Sequence, residues 1–323
     1  MTLLLEAAGI EVVGLSLPPE ADSLYSILGR ESKIPDFFGD IRSAEFTKSV
    51  MKKVKPSAVI HMAAEPLVME SYAHPERTFE TNVMGTVNVL SAARESEVDI
   101  VQVITTDKVY KNLNSGIRFS EDDPLAGKDP YSASKVGTET VVSAWKQLYE
   151  VHGGTLVHSV RAGNVIGGGD LAKNRLLPDV VRSLQERKPV EIRSLNSTRP
   201  WQHVLDPLTG YLDALSLNWK KNKQENFNFG PLEKSLSVAE VLKIIQEKVP
   251  NFQWVEGKSS SETLESKTLD LSSEKAETLL GWKPRLLQEE AILKTLEWWN
   301  LNGRSPRSPI DSCTADIQEL VFT

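Results

Sequence analysis

Short apolar segments alternate with longer segments of helical periodicity over the first half of the chain. Runs rich in β-branched residues predict strands at residues 10–17, 57–63, 99–106 and 155–162. Apolar residues that recur every three or four positions predict helices at residues 44–55, 76–96 and 131–152. Continuous apolar strands separated by helices are typical of parallel strands covered on both faces. The pattern therefore predicts an α/β fold with a doubly wound parallel sheet.

The second half of the chain follows a less regular pattern. Helices are predicted at residues 178–186, 206–219, 237–247 and 288–299, which is typical of a smaller α+β lobe. We predict a sheet domain over residues 1–166 and a second lobe over residues 167–323, with some segments of the lobe returning to the first domain. The polar stretch 256–267 predicts a surface loop, and the tail after residue 302 is expected to be ordered only by docking, if at all.

The first residues resemble the end of a helix. Thr2 to Ala8 has the composition of a last helical turn, and Gly9 is a typical helix stop. A dinucleotide-binding sheet normally begins with a strand and a glycine-rich turn that holds the pyrophosphate at a helix N-terminus. We therefore expect the sequence to lack a short N-terminal segment, through a misplaced start or decay of the gene. Such a chain is expected to fold poorly or to bind cofactor badly.

Composition narrows the class of protein further. The 323 residues are 40% hydrophobic, and 37 basic and 44 acidic residues give a net charge of −7, so disorder, a disulfide scaffold and nonspecific nucleic-acid binding are disfavoured. One cysteine cannot form an internal disulfide, which favours a cytoplasmic protein. Five scattered histidines without ligand spacing predict no metal site, and no apolar run is long enough to predict a membrane span.

Candidate chemistry begins with Tyr131 and Lys135, which lie four residues apart at the start of a predicted helix. This spacing places both side chains on one helix face, where the amine is expected to favour the phenolate form of the tyrosine. Alone, the pair is equally consistent with a surface tyrosine on a lysine stem. The segment Thr105 to Tyr110 (TTDKVY) ends a predicted strand, and ligands bind at that edge of open α/β sheets. The two segments together favour an active site.

Several longer segments carry a family resemblance over about residues 9–299. They are HMAAEPLVMESY, ETNVMGTVNVL, TTDKVY, DPYSASK, RAGNVIGGGD, TRPWQHVLDPLTGYL and NFNFGP. Together they resemble the extended short-chain dehydrogenase/reductases, and among these the CDP-glucose 4,6-dehydratase family. The lysine after Thr-Asp is part of the likeness, because related dTDP-glucose dehydratases carry glutamate there. The resemblance implies a Rossmann-like fold, NAD as cofactor and CDP-glucose as substrate.

The resemblance also implies roles for individual residues. Tyr131 would take the proton of the sugar 4-hydroxyl while hydride passes to NAD, with Thr106 bonded to the same oxygen and Lys135 holding the ribose. Lys108 would remove the proton at carbon 5, provided that the amine is neutral. Asp107 would protonate the departing 6-hydroxyl, which requires a raised pKa in an apolar pocket. The alternative for Asp107 and Lys108 is a strand-end ion pair, since adjacent strand residues point to opposite faces and can share a substrate only in a loop.

Cofactor contacts are implied at two further strand ends. Asp40 and Ile41 resemble the family's adenine contact, although Asp40 is also placed to cap a helix at a strand-to-helix turn. Ala63 and Ala64 would let the backbone approach the dinucleotide. Asn82 resembles the family's helix-interrupting asparagine, which supports the helix of Tyr131. NAD rather than NADP rests on the resemblance.

Candidate substrate residues lie in the second half. Arg193 and Arg199 can bind a pyrophosphate bidentately, and Asn164 can donate to the same phosphates. Trp201 and His203 would shape the nucleoside pocket, although Trp201 is equally suited to the core.

Two other functions stay open. One is a different nucleotide-sugar dehydratase or epimerase, and the other is a decayed homologue that binds sugar nucleotide without catalysis. A homodimer or homotetramer is implied by the resemblance.

Overall fold

Four parallel strands form the central sheet of this computed structural model, which describes residues 1–31, 33–114, 116–192, 194–257, 269–301 and 307–322. Its strand order is β11-β6-β4-β3. In chain order the strands are β1 (Gly14–Ser16), β2 (Asp36–Phe38), β3 (Ala58–His61), β4 (Ile100–Ile104), β5 (Arg118–Phe119), β6 (Leu156–Ala162), β7 (Asn164–Ile166), β8 (Val190–Ile192), β9 (Thr198–Arg199), β10 (Trp201–His203), β11 (Phe227–Phe229), β12 (Leu236–Ser237), β13 (Trp254–Glu256) and β14 (Asp270–Leu271).

Helices cover the sheet and build most of the second half. They are α1 (Thr2–Ala7), α2 (Leu24–Ile27), α3 (Ala44–Val54), α4 (Val68–Ala73), α5 (Pro75–Phe79), α6 (Gly85–Glu95), α7 (Pro130–His152), α8 (Leu176–Glu186), α9 (Leu205–Lys221), α10 (Val238–Lys248), α11 (Glu274–Leu280), α12 (Gln288–Trp298) and α13 (Pro309–Val321), with a π-helix at Glu80–Met84 and a 3₁₀ helix at Asp107–Val109. Within the described ranges, no helix is long and apolar enough to cross a membrane.

The central sheet is buried on both faces. β4 pairs in parallel with β6, Ile100 opposite Leu156, and with β3, Ala58 opposite Ile100. Valines of β4 and β6 pack against α6 and α7 on one face, while the other face, with Ile104 and Val160, packs against α9 and α13. Two covered faces explain the continuous apolar runs. The predicted strands at 57–63, 99–106 and 155–162 are confirmed, as is the parallel α/β class.

The strands β1 and β2 form a separate parallel pair, with Gly14 opposite Asp36. No strand among the described residues joins this pair to β3. Leu15 of β1 and Val59 of β3 nevertheless contact one buried cluster that includes Met51 and Val89. The strand predicted over residues 10–17 is confined to three residues, and β2 was not predicted because three residues carry too short a pattern.

The second half of the chain packs around its own core. α8, α10 and α12 bury Val180, Leu242, Ile245 and Ile292 beside the short pairs β8/β13 and β7/β10. The predicted helices are confirmed within one or two residues at most ends. β11 returns to the central sheet, where Phe227 lies opposite Val160. Most of the predicted surface loop 256–267 lies outside the described residues.

The tail after residue 302 was expected to be ordered only by docking, if at all. In the structure it contains the helix α13. Ile317 and Leu320 pack into the cluster that also holds Leu4 of α1. Lys294 of α12 forms ion pairs with Asp316 and Glu319 of α13, at 3.2 and 2.6 Å. Docking against α1, α9 and α12 therefore orders the tail.

Candidate active site

The helix α7 begins with a reciprocal capping box. The Asp129 carboxylate accepts from the Ser132 backbone N–H, the Ser132 hydroxyl accepts from the Asp129 N–H, and Pro130 occupies the first turn. This start places Tyr131 in the first turn and Lys135 one turn later, both buried. The Tyr131 N–H donates to Ser71 Oγ at 3.1 Å, which ties the helix start to α4. The pair predicted to share one helix face therefore has a fixed position at the sheet edge.

The strand β4 ends before the Thr-Asp-Lys segment and continues as the 3₁₀ helix Asp107–Val109. Thr106 caps this turn: its hydroxyl accepts from the Lys108 N–H at 3.3 Å and donates to Asp107 Oδ1 at 2.9 Å. Lys108 Nζ lies 5.8 Å from the centroid of the Tyr131 ring. The turn replaces strand geometry, so adjacent residues need not point to opposite faces. The condition for a shared role of Asp107 and Lys108 is therefore met.

Burial controls the acidity of Asp107. Its side chain is 1% exposed, and this burial raises the pKa of the carboxyl, while Lys108, Thr106 and Arg199 oppose the rise. A raised pKa favours the protonated acid, which can donate a proton to a leaving hydroxyl.

Space for a ligand at Asp107 depends on Gly163. Asp107 Oδ2 is buried and has no hydrogen-bond partner among the described residues. A Cβ added at Gly163 would lie 2.6 Å from Pro200 Cγ and 3.3 Å from Asp107 Oδ2. A glycine at position 163 therefore lets Pro200 and this oxygen lie close to the backbone of β6 and β7. A buried oxygen without a partner is expected to bind one.

The ionisation of Tyr131 differs from the prediction. Burial raises the pKa of Tyr131 to about 12, and the opposing hydrogen bond from Thr106 and the charge of Arg175 are weaker. Lys135 Nζ donates instead to the Ile104 carbonyl at 3.1 Å, and burial lowers the pKa of this amine to about 8. The prediction of a phenol pKa lowered by Lys135 is therefore wrong for this structure, because desolvation of the phenolate is the larger effect.

Asn82 interrupts the predicted helix 76–96, as expected. It lies in the π-helix between α5 and α6, and its Nδ2 donates to Ser134 Oγ at 2.9 Å and to the Glu65 carbonyl at 3.1 Å. The Thr138 hydroxyl donates to the Asn82 carbonyl. These bonds join the loop after β3 to the face of α7 next to Tyr131. π-Helical turns are frequent at functional sites.

Asp40, one of the two residues predicted to contact adenine, lines an open groove of about 520 Å³. Both Asp40 carboxylate oxygens accept from Arg42, whose guanidinium also contacts Glu80 at 3.3 Å. Ile41 is buried, and the Asn88 amide donates to its carbonyl. The arginine lowers the pKa of Asp40 and keeps it ionised as an acceptor. Arg42, which was not predicted, lines the same groove as Asp40.

The edge after β3 has the small residues that a bound dinucleotide needs. Ala63 is exposed and Ala64 half-buried, directly after the strand. Ala63 and Ala64, the Asp40 groove and the amine of Lys135 follow β3, β2 and β4 respectively, at carboxyl ends of parallel strands. The residues present fit the two ends of a dinucleotide at this edge. The described chain has no glycine-rich turn after β1 or β3.

The predicted substrate residues divide into two groups. Arg199 is buried, and its charge lowers the pKa of Asp107 against the effect of burial; Asn164 is half-buried on β7. Trp201 belongs to the core of the second lobe, where Nε1 donates to the Leu236 carbonyl. His203 is also buried, and burial lowers its pKa to about 4.

Trp201 therefore takes the core position that was its alternative, and a role of Trp201 and His203 in the nucleoside pocket stays a prediction. Arg193 lies outside the described residues.

Sequence reasoning missed Arg175. Its charge acts on Tyr131, and its guanidinium contacts the Asp170 carboxylate at 3.1 Å across the loop between β7 and α8. The side chain is 43% exposed. The sequence signal for Arg175 was a basic residue five positions after the GGGD loop.

Among the described residues, no group of three potential metal ligands was found.

The sequence of this chain is similar to those of nucleotide-sugar 4,6-dehydratases. A family model described as GDP-mannose 4,6 dehydratase matches residues 2–295. The CDP-glucose 4,6-dehydratase of Salmonella typhimurium is 38% identical over 311 residues, which cover 92% of this chain and 86% of the relative. The dTDP-D-glucose 4,6-dehydratase of Bos taurus is 27% identical and covers 82% of this chain and 73% of its own length.

Two solved structures show the same fold. A dTDP-glucose 4,6-dehydratase from Bacillus anthracis in complex with NAD superposes with a TM-score of 0.75 at 22% identity, covering 93% of this chain and 91% of the other. A UDP-glucuronic acid 4-epimerase from Bacillus cereus, in complex with UDP-glucuronic acid and NAD, gives a TM-score of 0.80 at 21% identity, covering 93% and 94%.

Proposed function

This chain belongs to the GDP-mannose 4,6-dehydratase family, and on that basis we propose that it is an NAD-dependent CDP-glucose 4,6-dehydratase. The reaction converts CDP-D-glucose to CDP-4-dehydro-6-deoxy-D-glucose with loss of water. One observation carries the proposal beyond family membership: the turn after β4 brings an acid, Asp107, and an amine, Lys108, beside Tyr131. The 38% identical relative from Salmonella typhimurium supports CDP-glucose as the substrate.

Oxidation at carbon 4 makes the elimination possible, because the hydrogen at carbon 5 is not acidic until a neighbouring ketone stabilises the carbanion. NAD, when bound, supplies the hydride acceptor and donor, and its positively charged nicotinamide favours an ionised phenol nearby. Tyr131 accepts the proton of the 4-hydroxyl, and Thr106, whose hydroxyl lowers the pKa of the phenol against the effect of burial, orients the same oxygen. Lys135 holds the ribose from the end of β4, where its amine lies.

Elimination then uses the two residues of the turn. Lys108 removes the proton at carbon 5, and Asp107 donates a proton to the departing 6-hydroxyl. Burial raises the pKa of Asp107, which favours the protonated form that this role requires. Lys108, now an ammonium group, would return a proton to carbon 5, and the bound cofactor would supply the hydride to carbon 6, so that the reaction is redox-neutral overall. The acid and base act on adjacent carbons, which suits adjacent residues in a tight turn.

Binding of the nucleotide sugar rests on residues around the same turn. Arg199 and Asn164 are the phosphate donors in this proposal, and Arg175 joins them because it is exposed and its charge acts on Tyr131. A guanidinium can bind two phosphate oxygens at once, whereas an ammonium cannot. We place the enzyme in the cytoplasm as a homodimer or homotetramer, with its product used for the deoxy sugars of polysaccharides.

The test is direct. The purified full chain is mixed with CDP-glucose and NAD, and the product is examined by mass spectrometry for loss of water. In D₂O the product is expected to carry one deuterium at carbon 5, while the hydrogen from carbon 4 is recovered at carbon 6. UDP-glucose, dTDP-glucose and GDP-mannose serve as matched substrates. Faster dehydration of any of these three would assign a different nucleotide.

Two further outcomes would contradict the proposal. Loss of water without transfer of hydrogen from carbon 4 to carbon 6 would exclude the oxidative route. A chain that gives a folded circular-dichroism spectrum and binds CDP-glucose, but neither retains NAD nor releases water, would instead be a non-catalytic homologue.

A further inference from the structure

Arg161 opens the RAGN segment, yet the proposed chemistry gives it no role. Its guanidinium is buried, at 2% exposure, and forms a two-pronged ion pair with Glu139 of α7, Nε to Oε1 and Nη2 to Oε2, both at 2.8 Å. Burial disfavours the charge of Glu139, but the bonds from Arg161 outweigh it and lower the pKa of the carboxyl. Both groups are therefore charged in the interior. Such pairs add little net stability compared with apolar residues of the same volume, so another reason for the pair is needed.

Two further contacts of this pair lie on the residues that flank the Asp107–Lys108 turn. On the entry side, Thr105 Oγ1 donates to Glu139 Oε1 at 2.5 Å. On the exit side, the Tyr110 hydroxyl accepts from Arg161 Nη1 at 2.7 Å. Residues 106–109 lie between these two anchors and include Thr106, Asp107 and Lys108. The ion pair thus contacts both ends of the segment that carries the proposed acid and base.

The exit anchor is itself fixed from the opposite side. The Tyr110 hydroxyl donates to Asn228 Oδ1 at 2.7 Å, and Asn228 Nδ2 donates to the Phe119 carbonyl at 3.0 Å. The Tyr110 ring stacks on Phe119 with centroids 5.0 Å apart and an interplanar angle of 5°. Arg161 Nη1 also donates to the Glu121 carbonyl at 3.1 Å. Tyr110 therefore has one position, set by β11 and by the loop around Glu121.

Glu139 also links the turn to α7, the helix that carries Tyr131. Glu139 lies four residues after Lys135 on α7, and its second oxygen accepts from Ser159 Oγ of β6 at 2.7 Å. One carboxylate thus joins β4, β6 and α7 beneath the site. A displacement of about 1 Å in a catalytic group can reduce a rate about a hundredfold, so a rigid link between these elements has a direct use.

We propose that Arg161, Glu139, Thr105 and Tyr110 form a positioning network that fixes the Asp107–Lys108 turn for the elimination step. The inference rests on the proposed function, since it concerns the step that this turn performs. None of the four residues is a catalytic residue, because each acts through the backbone of the turn. Loss of one anchor is expected to slow elimination more than oxidation at carbon 4.

Two variants remove one anchor each with little change of shape. Thr105→Val deletes the hydroxyl at the entry side, and Thr105→Ser restores it without the methyl group. Tyr110→Phe deletes the hydroxyl at the exit side and keeps the stack on Phe119. Tyr149→Phe is the matched control, because it removes a tyrosine hydroxyl that bonds Asn222 at the far end of α7.

The first measurement uses the chain without substrate or cofactor. Hydrogen exchange of the peptide containing residues 105–112 is followed by mass spectrometry, because the Lys108 and Tyr110 amides bond within the turn. Thr105→Val and Tyr110→Phe are expected to raise exchange there about tenfold, and Thr105→Ser and Tyr149→Phe to leave it within about twofold of the wild type. Unchanged exchange in both anchor variants would overturn the proposal.

The second measurement separates the two chemical steps in the presence of CDP-glucose and NAD. Both anchor variants are expected to lower kcat about tenfold, to leave KM within about twofold, and to accumulate reduced nicotinamide on the enzyme during turnover. Equal slowing of oxidation and elimination would show a merely structural role. A wild-type chain that releases no water would refute the proposed function instead, and the exchange measurement would still decide whether the network holds the turn.

Discussion

The β4–β6 region and the β1–β2 pair are both parallel strands, yet they are built differently. β6 is buried along its whole length and β4 in four of five residues, with apolar clusters on both faces. Along β1 and β2, in contrast, the first two residues are half-buried and the third is exposed, and the nearby Leu17 is 62% exposed. The proposed chemistry lies at the end of the first region, and the predicted adenine contact follows the second.

The two regions differ in how rigidly they hold their proposed site residues. The turn after β4 is tied to α7, β6 and β11 by buried hydrogen bonds, so its acid and base have defined positions. Asp40, after β2, is held by a neighbouring exposed arginine. Chemistry at carbon 5 needs accurate geometry, whereas binding at the adenosine end tolerates adjustment. Substitutions in the two regions should therefore have effects of very different size.

The largest effect is expected at the turn. Lys108→Ala should lower the dehydration rate about a thousandfold, because the proposed base is lost, while reduction of bound NAD by CDP-glucose remains measurable. Mass spectrometry of the product and absorbance of reduced nicotinamide provide the two readouts. Lys111→Ala, an exposed lysine just beyond the turn, is the matched control. Continued loss of water in Lys108→Ala would remove this lysine from its role.

A packing substitution in each region gives the next largest contrast. Ile100→Ala in the buried β4 should lower the free energy of unfolding by about 3 kcal/mol, because it removes a fully buried side chain and leaves a cavity. Leu15→Ala in the half-buried β1 should cost about 1 kcal/mol, since part of that side chain already contacts water. Urea denaturation of both variants checks the contrast. Equal losses would show that β1 is as integral to the core as β4.

Acid should weaken the central sheet through its buried histidines. Burial lowers the pKa of His61 on β3 and of His158 on β6 to about 3, whereas in the unfolded chain the value is about 6.5. Below about pH 6.5 the unfolded state binds more protons, so stability falls as pH falls toward 3.

Between about pH 7.5 and 5.5 each such histidine should cost about 1.4 kcal/mol. His158→Gln should reduce the loss by that amount in urea titrations at the two pH values. His152→Gln, at the exposed end of α7, is the control. An identical pH dependence in His158→Gln would show that this residue does not contribute.

The smallest effect is expected at the adenine groove. Asp40→Ala should weaken NAD binding about fivefold, the contribution of one charge-assisted hydrogen bond at a half-exposed site, and leave the rate with saturating NAD within about twofold. Fluorescence titration with NAD provides the measurement, with Glu95→Gln on the distant end of α6 as control. Unchanged affinity for NAD would mean that Asp40 only forms an ion pair with Arg42.

Local patterns were enough to identify several parts of this molecule. The strands at 57–63, 99–106 and 155–162 were predictable, because continuous apolar runs need burial on both faces. The placement of Tyr131 and Lys135 on one face of α7 follows from helical spacing alone. The family motifs pointed to Thr106, Asp107 and Lys108 together, although only the turn geometry shows that they can meet one ligand.

Other properties came only from the tertiary structure. The pKa of Tyr131 rises because the phenol is buried, and no local pattern states how much water a folded site excludes. Trp201, for which both a pocket and the core were open, packs in the core, and the charge of Arg199 acts on Asp107, which lies far from it in sequence. The bonds from Glu139 to Thr105 and Arg161 join three elements at once. Sequence periodicity determines which face of each element is apolar, whereas distances and desolvation depend on how separate elements pack together.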